Sequence, residues 1–585
     1  MFGRPLKKHN TKNGIFYTAG QELPLPERYS PADKKSSDSL ECGKNRLVVL
    51  MFLFFVAFGG IGVRLVDVTV VRGGVSLIAR AKADDEALSP LKIKMMRADI
   101  VDRNDIVLAT SLPSADLYVD AEKVKNPETI ATALAQTLPD MKYGQLLEKL
   151  KSKKNFVYLR RNLTPKEQYD VNRLGFPQLN FQKTEVRVYP QGALMSHLIG
   201  VTNIDNRGIA GVEKSFDEKL SGKNETVRLS LDVGVQDTVR AALKDGIDKF
   251  RAAGGAAILM NAKTGEIVSM VSLPDYDPND LNGAKTADLF NQASLGVYEV
   301  GSVMKLFTIA TGLETNKITV KDTIDASRPL ILANHTINDV EKLRRVITVP
   351  EILIESSNIG AATVALKIGG EKQRDFFNRF GFFKTAGIEL PEHGRPLLPQ
   401  KWRDVTTATA GYGYGVALTP VHIVAATAAL VNGGVYNAPS LLAKRPGDEK
   451  IGKRVISKKT SDIMRGIMRQ VVISGSGRKA NVPGFEVGGK TGSAQKLVNG
   501  KYVKNTLRTS FVSAFPMDNP QYVLMVMLDA PKGLKETYNF NTAGWNAAPT
   551  AGKIIEAVAP QLGVAPRPFA NDRPAPYVNS AVNAR

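Results

Sequence analysis

Residues 47–63 (LVVLMFLFFVAFGGIGV) run without a charge between Arg46 and Arg64, and Leu65 and Val66 extend the run. A helix crossing a bilayer core needs about 20 apolar residues, and about 17 is near the lower limit. The Arg64 side chain can reach the interface along its own aliphatic stem and lengthen the usable span. The stretch has no polar face, which separates it from a helix lying in a globular core. The 46 residues before it exceed the short basic start of an ordinary signal peptide, which argues against a cleaved leader. They hold nine Lys/Arg against five Asp/Glu, with Lys44 and Arg46 abutting the run. The positive-inside rule then assigns 1–46 as a cytoplasmic tail, 47–66 as a single transmembrane anchor, and everything beyond to the outside.

That placement narrows the chemistry. The formal charge of +21 fits nucleic acid, anionic lipid or anionic polymer equally well. An exported domain makes nucleic acid an unexpected partner. A single cysteine, Cys42, allows no intrachain disulfide and no cysteine-based metal site, and the five histidines lack H-E-x-x-H spacing. Neither a metal nor another cofactor is expected.

Residues 67–224 read as a non-catalytic mixed α/β domain of pedestal or dimerisation type. Helical spacing over 127–138 and 141–151 is split by Pro139, and Asn162-Leu163-Thr164-Pro165-Lys166-Glu167 reads as a capped helix start. From 225 to 562 the pattern changes. Apolar runs at 256–260 and 266–273 flank the turn Asn261-Ala262-Lys263-Thr264-Gly265, and runs at 509–515 and 521–529 flank Pro516-Met517-Asp518-Asn519-Pro520. Between these hairpins the spacing predicts helices at 305–315, 349–367, 373–380, 420–432 and 460–474, with another at 548–558. The implied class is α+β: one antiparallel sheet flanked by helices, plus a helical lobe. Residues 563–585, rich in Pro, Ala and Asn, read as a disordered tail.

Three short motifs carry the chemistry. S-x-x-K is cheap, since chance supplies on the order of two in a chain this long. Four occur here, at Ser89, Ser302, Ser476 and Ser493. Ser89 has Pro90 beside it and Ser476 is flanked by glycines, whereas only Ser302-Val303-Met304-Lys305 both follows a glycine and opens an apolar helix, which sets Ser302 and Lys305 on one face near the free N–H groups of the helix start. Ser356-Ser357-Asn358 offers a hydroxyl and an amide on one edge. Lys490-Thr491-Gly492 with Ser493 follows Gly488 and Gly489 on a strand that tolerates close backbone approach. The earlier copy, Lys263-Thr264-Gly265, stands in a hairpin turn ahead of Ser302.

The order S-x-x-K, then S-x-N 54 residues on, then K-T-G 134 residues further, is that of penicillin-recognising serine acyltransferases. The chain resembles the class B penicillin-binding proteins, which are peptidoglycan D,D-transpeptidases. Arg97-Ala98-Asp99-Ile100-Val101-Asp102-Arg103-Asn104 resembles that family's R-G-x-I-x-D-R-N-G box, with Ala98 and Asp105 where glycine is usual. Arg187-Val188-Tyr189-Pro190 and Gly208-Ile209-Ala210-Gly211-Val212-Glu213 resemble its later non-catalytic boxes. Gly413-Tyr414-Gly415, Leu418-Thr419-Pro420 and Asn432-Gly433-Gly434 resemble stretches of its catalytic domain. Val300 replaces a common proline, and Ser493 a common threonine.

The resemblance implies the penicillin-binding transpeptidase fold over 225–562 and a catalytic set of Ser302, Lys305, Ser356 and Lys490. Asn358, Thr491, Gly492 and Ser493 would bind substrate. It also implies peptidoglycan stem peptides as substrates, β-lactams as covalent inhibitors, and a place in the bacterial inner (plasma) membrane with the catalytic domain periplasmic. The S-S-N and K-T-G forms, the long tail and the lack of a large insertion favour a septal role. The partners would then be a membrane-embedded glycosyltransferase of the division machinery and other divisome proteins. An elongation enzyme and an inactive envelope scaffold are the alternatives. A β-lactamase would be about half this length, a β-lactam sensor needs several spans, and a bifunctional class A protein needs E-D-x-x-F boxes that 67–224 lack.

Overall fold

The computed structural model describes residues 10–11, 14–15, 51, 53–61, 96–222, 224–445, 447, 452–498 and 501–567. The chain divides into two compact units, Met1–Lys94 and Met95–Arg585. In the first, Asn10–Thr11 pairs with Gly14–Ile15, and Met51 and residues 53–61 are helical and exposed. No helix among the described residues is long and apolar enough to cross a membrane. The rest of the expected 47–66 anchor lies outside the described residues, as do Ser89 and residues 568–585.

The second unit begins with a small sheet of β1 (Ile100–Val101), β2 (Val107–Val119), β3 (Val157–Leu163), β4 (Leu179–Val188) and β5 (Val227–Arg228). One edge of β2 pairs with β4 throughout, and the other is shared by β1 and β3. Helices α1 (Pro127–Thr137), α2 (Tyr143–Leu150) and α3 (Pro165–Asn172) bury Leu134, Leu146, Leu150 and Val171 against Leu117, Val119, Leu159 and Leu163. The α3 start is the expected capping box: Thr164 and Glu167 satisfy each other's backbone N–H.

The three non-catalytic boxes converge. Glu213, fully buried, accepts from Arg97 Nε at 2.6 Å and Arg187 Nε at 2.7 Å. Arg97 also donates to Asp217 at 2.6 Å and to the carbonyls of Asn206 and Glu213. Asp105, standing where glycine is usual, has φ +64°, so the turn does demand the left-handed region, which aspartate tolerates. Asp102 fixes that turn by accepting from Asn104 N and Ile106 N, while its other oxygen accepts from Val233 N at the head of the next helix.

That helix, α4 (Val233–Phe250), opens the larger domain. Its sheet comprises β6 (Gly254–Asn261), β7 (Ile267–Leu273), β8 (Gly488–Val498), β9 (Lys501–Phe515) and β10 (Tyr522–Asp529), in the antiparallel order β8-β9-β10-β6-β7. Alternate residues of a strand face opposite ways. Ala257, Leu259, Leu524 and Val526 join α4 and α12 (Ala547–Gln561) in one core, while Ile258, Met260, Met525 and Met527 join the helical lobe in another. A sheet covered on both faces accounts for strands that read as continuous apolar runs. The lobe holds α5 (Met304–Glu314), α6 (Val349–Ile354), α7 (Asn358–Ile368), α8 (Gly370–Arg379), α9 (Asp404–Tyr412), α10 (Pro420–Val431) and α11 (Lys458–Ile473).

The helix expected over 349–367 is in fact two, because Ser356 takes φ +60° and breaks it. The expected hairpin at 509–529 is the inner part of a three-strand meander whose β8–β9 pairing the sequence reading missed. Helices α4 and α9 were missed too, and residues 563–567, assigned to the tail, pack: Val564 is buried and Arg567 N donates to Gly484 O.

Candidate active site

Ser302 stands in a short 3-10 turn, Gly301–Val303, which runs straight into α5. Three glycines let main chain touch main chain around it. Gly301 has φ +54°, and a Cβ there would lie 3.0 Å from the Ser493 carbonyl oxygen. A Cβ on Gly413 (φ +102°) would sit 1.9 Å from the Gly301 oxygen, and one on Gly492 would sit 2.3 Å from the Val300 oxygen. The last two are closer than real Cβ contacts and the first is tight at a positive φ, so the Ser302 turn and β8 favour glycine at all three.

Lys305, in the first turn of α5, and Lys490, on β8, are both fully buried. They meet at Ser356. Lys305 Nζ donates to the Ser356 carbonyl at 2.5 Å and approaches its Oγ at 3.2 Å, while Lys490 Nζ donates to the same Oγ at 2.9 Å. Lys490 Nζ also reaches the Thr491 carbonyl and Oγ1. Burial holds Lys305 well below the ordinary lysine range; Lys490 pushes it further down and Asp339 opposes the shift. Burial alone brings Lys490 down to about 7. Neither lysine makes an ion pair among the described residues.

A cleft of about 330 Å³ opens here, with Ser302, Ser356, Thr491 and Ser493 among its walls. The structure thus brings together the expected Ser302, Lys305, Ser356, Lys490, Thr491, Gly492 and Ser493. Asn358 is adjacent in sequence but is not a wall of the cleft, and its amide donates to the Asn338 carbonyl at 2.9 Å. Ser493 Oγ is engaged by Ala543 N at 3.0 Å. The other described S-x-x-K lysines have partners of their own: Lys479, itself on the cleft wall, lies 4.1 Å over the Trp545 ring, and Lys496 pairs with Asp529. The early K-T-G is a surface turn, with Lys263 exposed.

Among the cleft residues that sequence reasoning missed are Ser476 and Asp339. Ser476 Oγ lies 2.7 Å from Thr491 Oγ1. It is one of the four S-x-x-K serines, set aside for its flanking glycines. Asp339 sits in a charged loop with no motif to mark it, and yet its carboxylate binds the head of α7. Among the described residues, no group of His, Cys, Asp and Glu could hold a metal ion.

Residues 255–556 match the family described as the penicillin-binding protein transpeptidase domain, and residues 92–242 the penicillin-binding protein dimerisation domain. The chain belongs to the class B penicillin-binding proteins. A Caulobacter vibrioides protein of this family, named as a probable peptidoglycan D,D-transpeptidase FtsI, is 36% identical over 523 residues, covering 87% of this chain and 88% of that one. Stage V sporulation protein D of Bacillus subtilis is 31% identical, covering 88% and 86% respectively. The Escherichia coli peptidoglycan D,D-transpeptidase FtsI is 28% identical, covering 83% and 87%. The crystal structure of penicillin-binding protein 3 from Mycobacterium tuberculosis, complexed with aztreonam, shares the class B fold at a TM-score of 0.65. Its sequence identity is 23%, and the match covers 82% of this chain and 98% of that one.

Proposed function

We propose that the protein is a peptidoglycan D,D-transpeptidase acting through an acyl-enzyme on Ser302. The observation that carries the reading is the pair of buried lysines sharing one serine hydroxyl beside a cleft that Ser302 lines. A serine hydroxyl is a weak nucleophile at neutral pH and needs an adjacent base. Lys305, held neutral by burial and by the charge of Lys490, is that base.

Ser302 Oγ attacks the carbonyl carbon of the terminal D-Ala–D-Ala amide and gives its proton to Lys305 Nζ. Backbone N–H groups of Ser302 and Ser493 hold the tetrahedral oxyanion. The intermediate collapses, the C–N bond breaks, and the departing D-Ala nitrogen takes a proton through Ser356. The second half runs in reverse with a new amine. A neighbouring stem's amine attacks the ester, loses a proton, and Ser302 Oγ leaves and recovers its own. Thr491, Ser493 and protonated Lys490 bind the donor's terminal carboxylate, and Asn358 holds the donor amide by turning from Asn338. No cofactor enters.

A β-lactam would follow the first half and stop at the ester. Mass spectrometry after incubation with a β-lactam should place the adduct on the Ser302 peptide; an adduct on Ser476 or Ser493, which line the same cleft, would overturn the assignment. The relatives named FtsI support a septal role, with a division glycosyltransferase as partner. A membrane anchor at 47–66 rests on its apolar sequence and basic flank. A fluorescent fusion gathered at mid-cell supports the septal reading, and one spread along the side wall transfers the protein to elongation.

A further inference from the structure

Asp339 follows a small hairpin, Leu330–Leu332 with His335–Ile337, and is nine-tenths buried, while the next residue, Val340, is 89% exposed. Leaving the hairpin, the chain buries Ile337 and then Asp339 between exposed neighbours, so the last group turned into the protein before Val340 is a carboxylate. All of that carboxylate's partners belong to the Ser356-Ser357-Asn358 turn and the first residue beyond it. Oδ2 accepts from Ser357 Oγ at 2.8 Å, and Oδ1 accepts from Asn358 N at 2.5 Å and Ile359 N at 3.0 Å. Ser357 Oγ in turn accepts from Gly360 N at 2.9 Å. Free N–H groups at the start of α7 are thus shared between Ser357 and a carboxylate from another part of the chain.

We propose that Asp339 is a positioning residue for acyl transfer: it locks the turn that holds Ser356, in its left-handed conformation, between Lys305 and Lys490. Left alone, a serine at φ +60° relaxes, because that region is unfavourable for a side chain with a Cβ. With its neighbours Ser357, Asn358 and Ile359 pinned, Ser356 cannot rotate away from the lysines. The carboxylate has a second consequence. The charged groups facing Lys305 are Lys490 on β8 and Asp339 on the hairpin exit, and these act on its proton in opposite directions.

The inference rests on the acyl-transfer reading, and one experiment separates the two. Acylation of the full chain by a fluorescent penicillin is followed across pH for the parent, Asp339→Asn and Asp339→Ala, with thermal melting of each. An amide can still accept the backbone N–H groups through its oxygen and donate to Ser357 Oγ, so Asp339→Asn should keep the turn and acylate at a rate near the parent's optimum. Its acidic limb should move to lower pH, since the charge favouring protonated Lys305 is gone. Asp339→Ala should lose acylation on the order of 10- to 100-fold, the scale of a misplaced catalytic group. An Asp339→Asn profile superimposed on the parent's, or an alanine variant acylating at the parent rate, overturns the proposal. If the alanine variant does not fold, the asparagine profile still decides. A parent that forms no adduct at Ser302 defeats the acyl-transfer reading instead.

Discussion

Two groups of buried charge, one in each domain, follow opposite rules. In the small domain, Glu213 is gripped by Arg97 and Arg187, unlike charges at 2.6 and 2.7 Å, with further carbonyls and Asp217 completing the shell. In the large domain, two lysines, Lys305 and Lys490, whose charges would repel if both were protonated, share a neutral hydroxyl, and the nearby carboxylate of Asp339 is spent on Ser357 and backbone N–H groups. Burying a charge is costly unless it is paired and hydrogen-bonded. The first group meets that requirement and holds three sequence boxes in register. The second does not, and what it gives up in stability appears as lysines that hold their protons loosely at neutral pH. The paired cluster is for shape and the unpaired one for chemistry.

The sharpest way to break this comparison is Lys305→Arg. It keeps the charge, but an arginine does not give up its proton, so it cannot act as base. Acylation by a fluorescent penicillin should fall by on the order of a thousandfold or more, much as in Lys305→Ala. A rate near the parent's would mean that the lysine acts through its charge alone. Glu213→Gln should do the reverse. It leaves two buried arginines without their shared counter-charge, which should destabilise the domain by about 3–5 kcal/mol in chemical denaturation. Acylation per folded molecule should be unchanged. Ser356→Ala, which removes the hydroxyl but neither charge, should slow acylation by on the order of 10- to 100-fold.

Lys490→Met tests the smallest effect. Its stability at neutral pH should equal or modestly exceed the parent's, by about 1 kcal/mol, because replacing buried charge with apolar volume is often neutral or stabilising. The parent should also show a pH signature. Lys490 titrates near 7 when folded against about 10.4 when unfolded, so the unfolded chain binds the extra proton between those values. That part of the stability is fully present above pH ~10.4 and is lost as pH falls toward 7. Melting curves of the parent should therefore rise relative to Lys490→Met between pH 7 and 10. Parallel curves would mean that Lys490 carries no unfavourable burial.

The sequence made the sheet legible where both faces are buried, because β6, β7 and β10 read as unbroken apolar runs. It showed β9 only over 509–515 and left β8 without its pairing to β9, because glycines on one strand and Lys501, Lys504 and Arg508 on the other mask the pattern. Helix α4 left a signal that went unread: Asp232 as its cap, then Val235, Val239 and Leu243 at spacings of four. In the active site the motifs announced residues whose roles depend on local spacing, such as Ser302 and Lys305 one helical turn apart. Asp339 and Ser476 act across the fold, on Ser357 and Thr491, and nothing in their neighbourhoods reveals such partners. The same holds for Arg97, Arg187 and Glu213, which stand in three boxes over 116 residues and whose single cluster exists only once the sheet closes.

The main-chain contacts of Gly301, Gly413 and Gly492 bear on how such a protein can change under inhibition. The gap between the Ser302 turn and β8 is set by peptide groups, with no side chain to trim or enlarge, so that spacing is closed to gradual adjustment by point substitution. Escape from a covalent inhibitor that uses this gap has to be sought in the lining farther out, at positions such as Val340, Arg478 or Thr542, where a side chain can vary without driving two backbones apart. A drug anchored on the glycine-lined gap and making few contacts beyond it would leave the fewest such positions to alter.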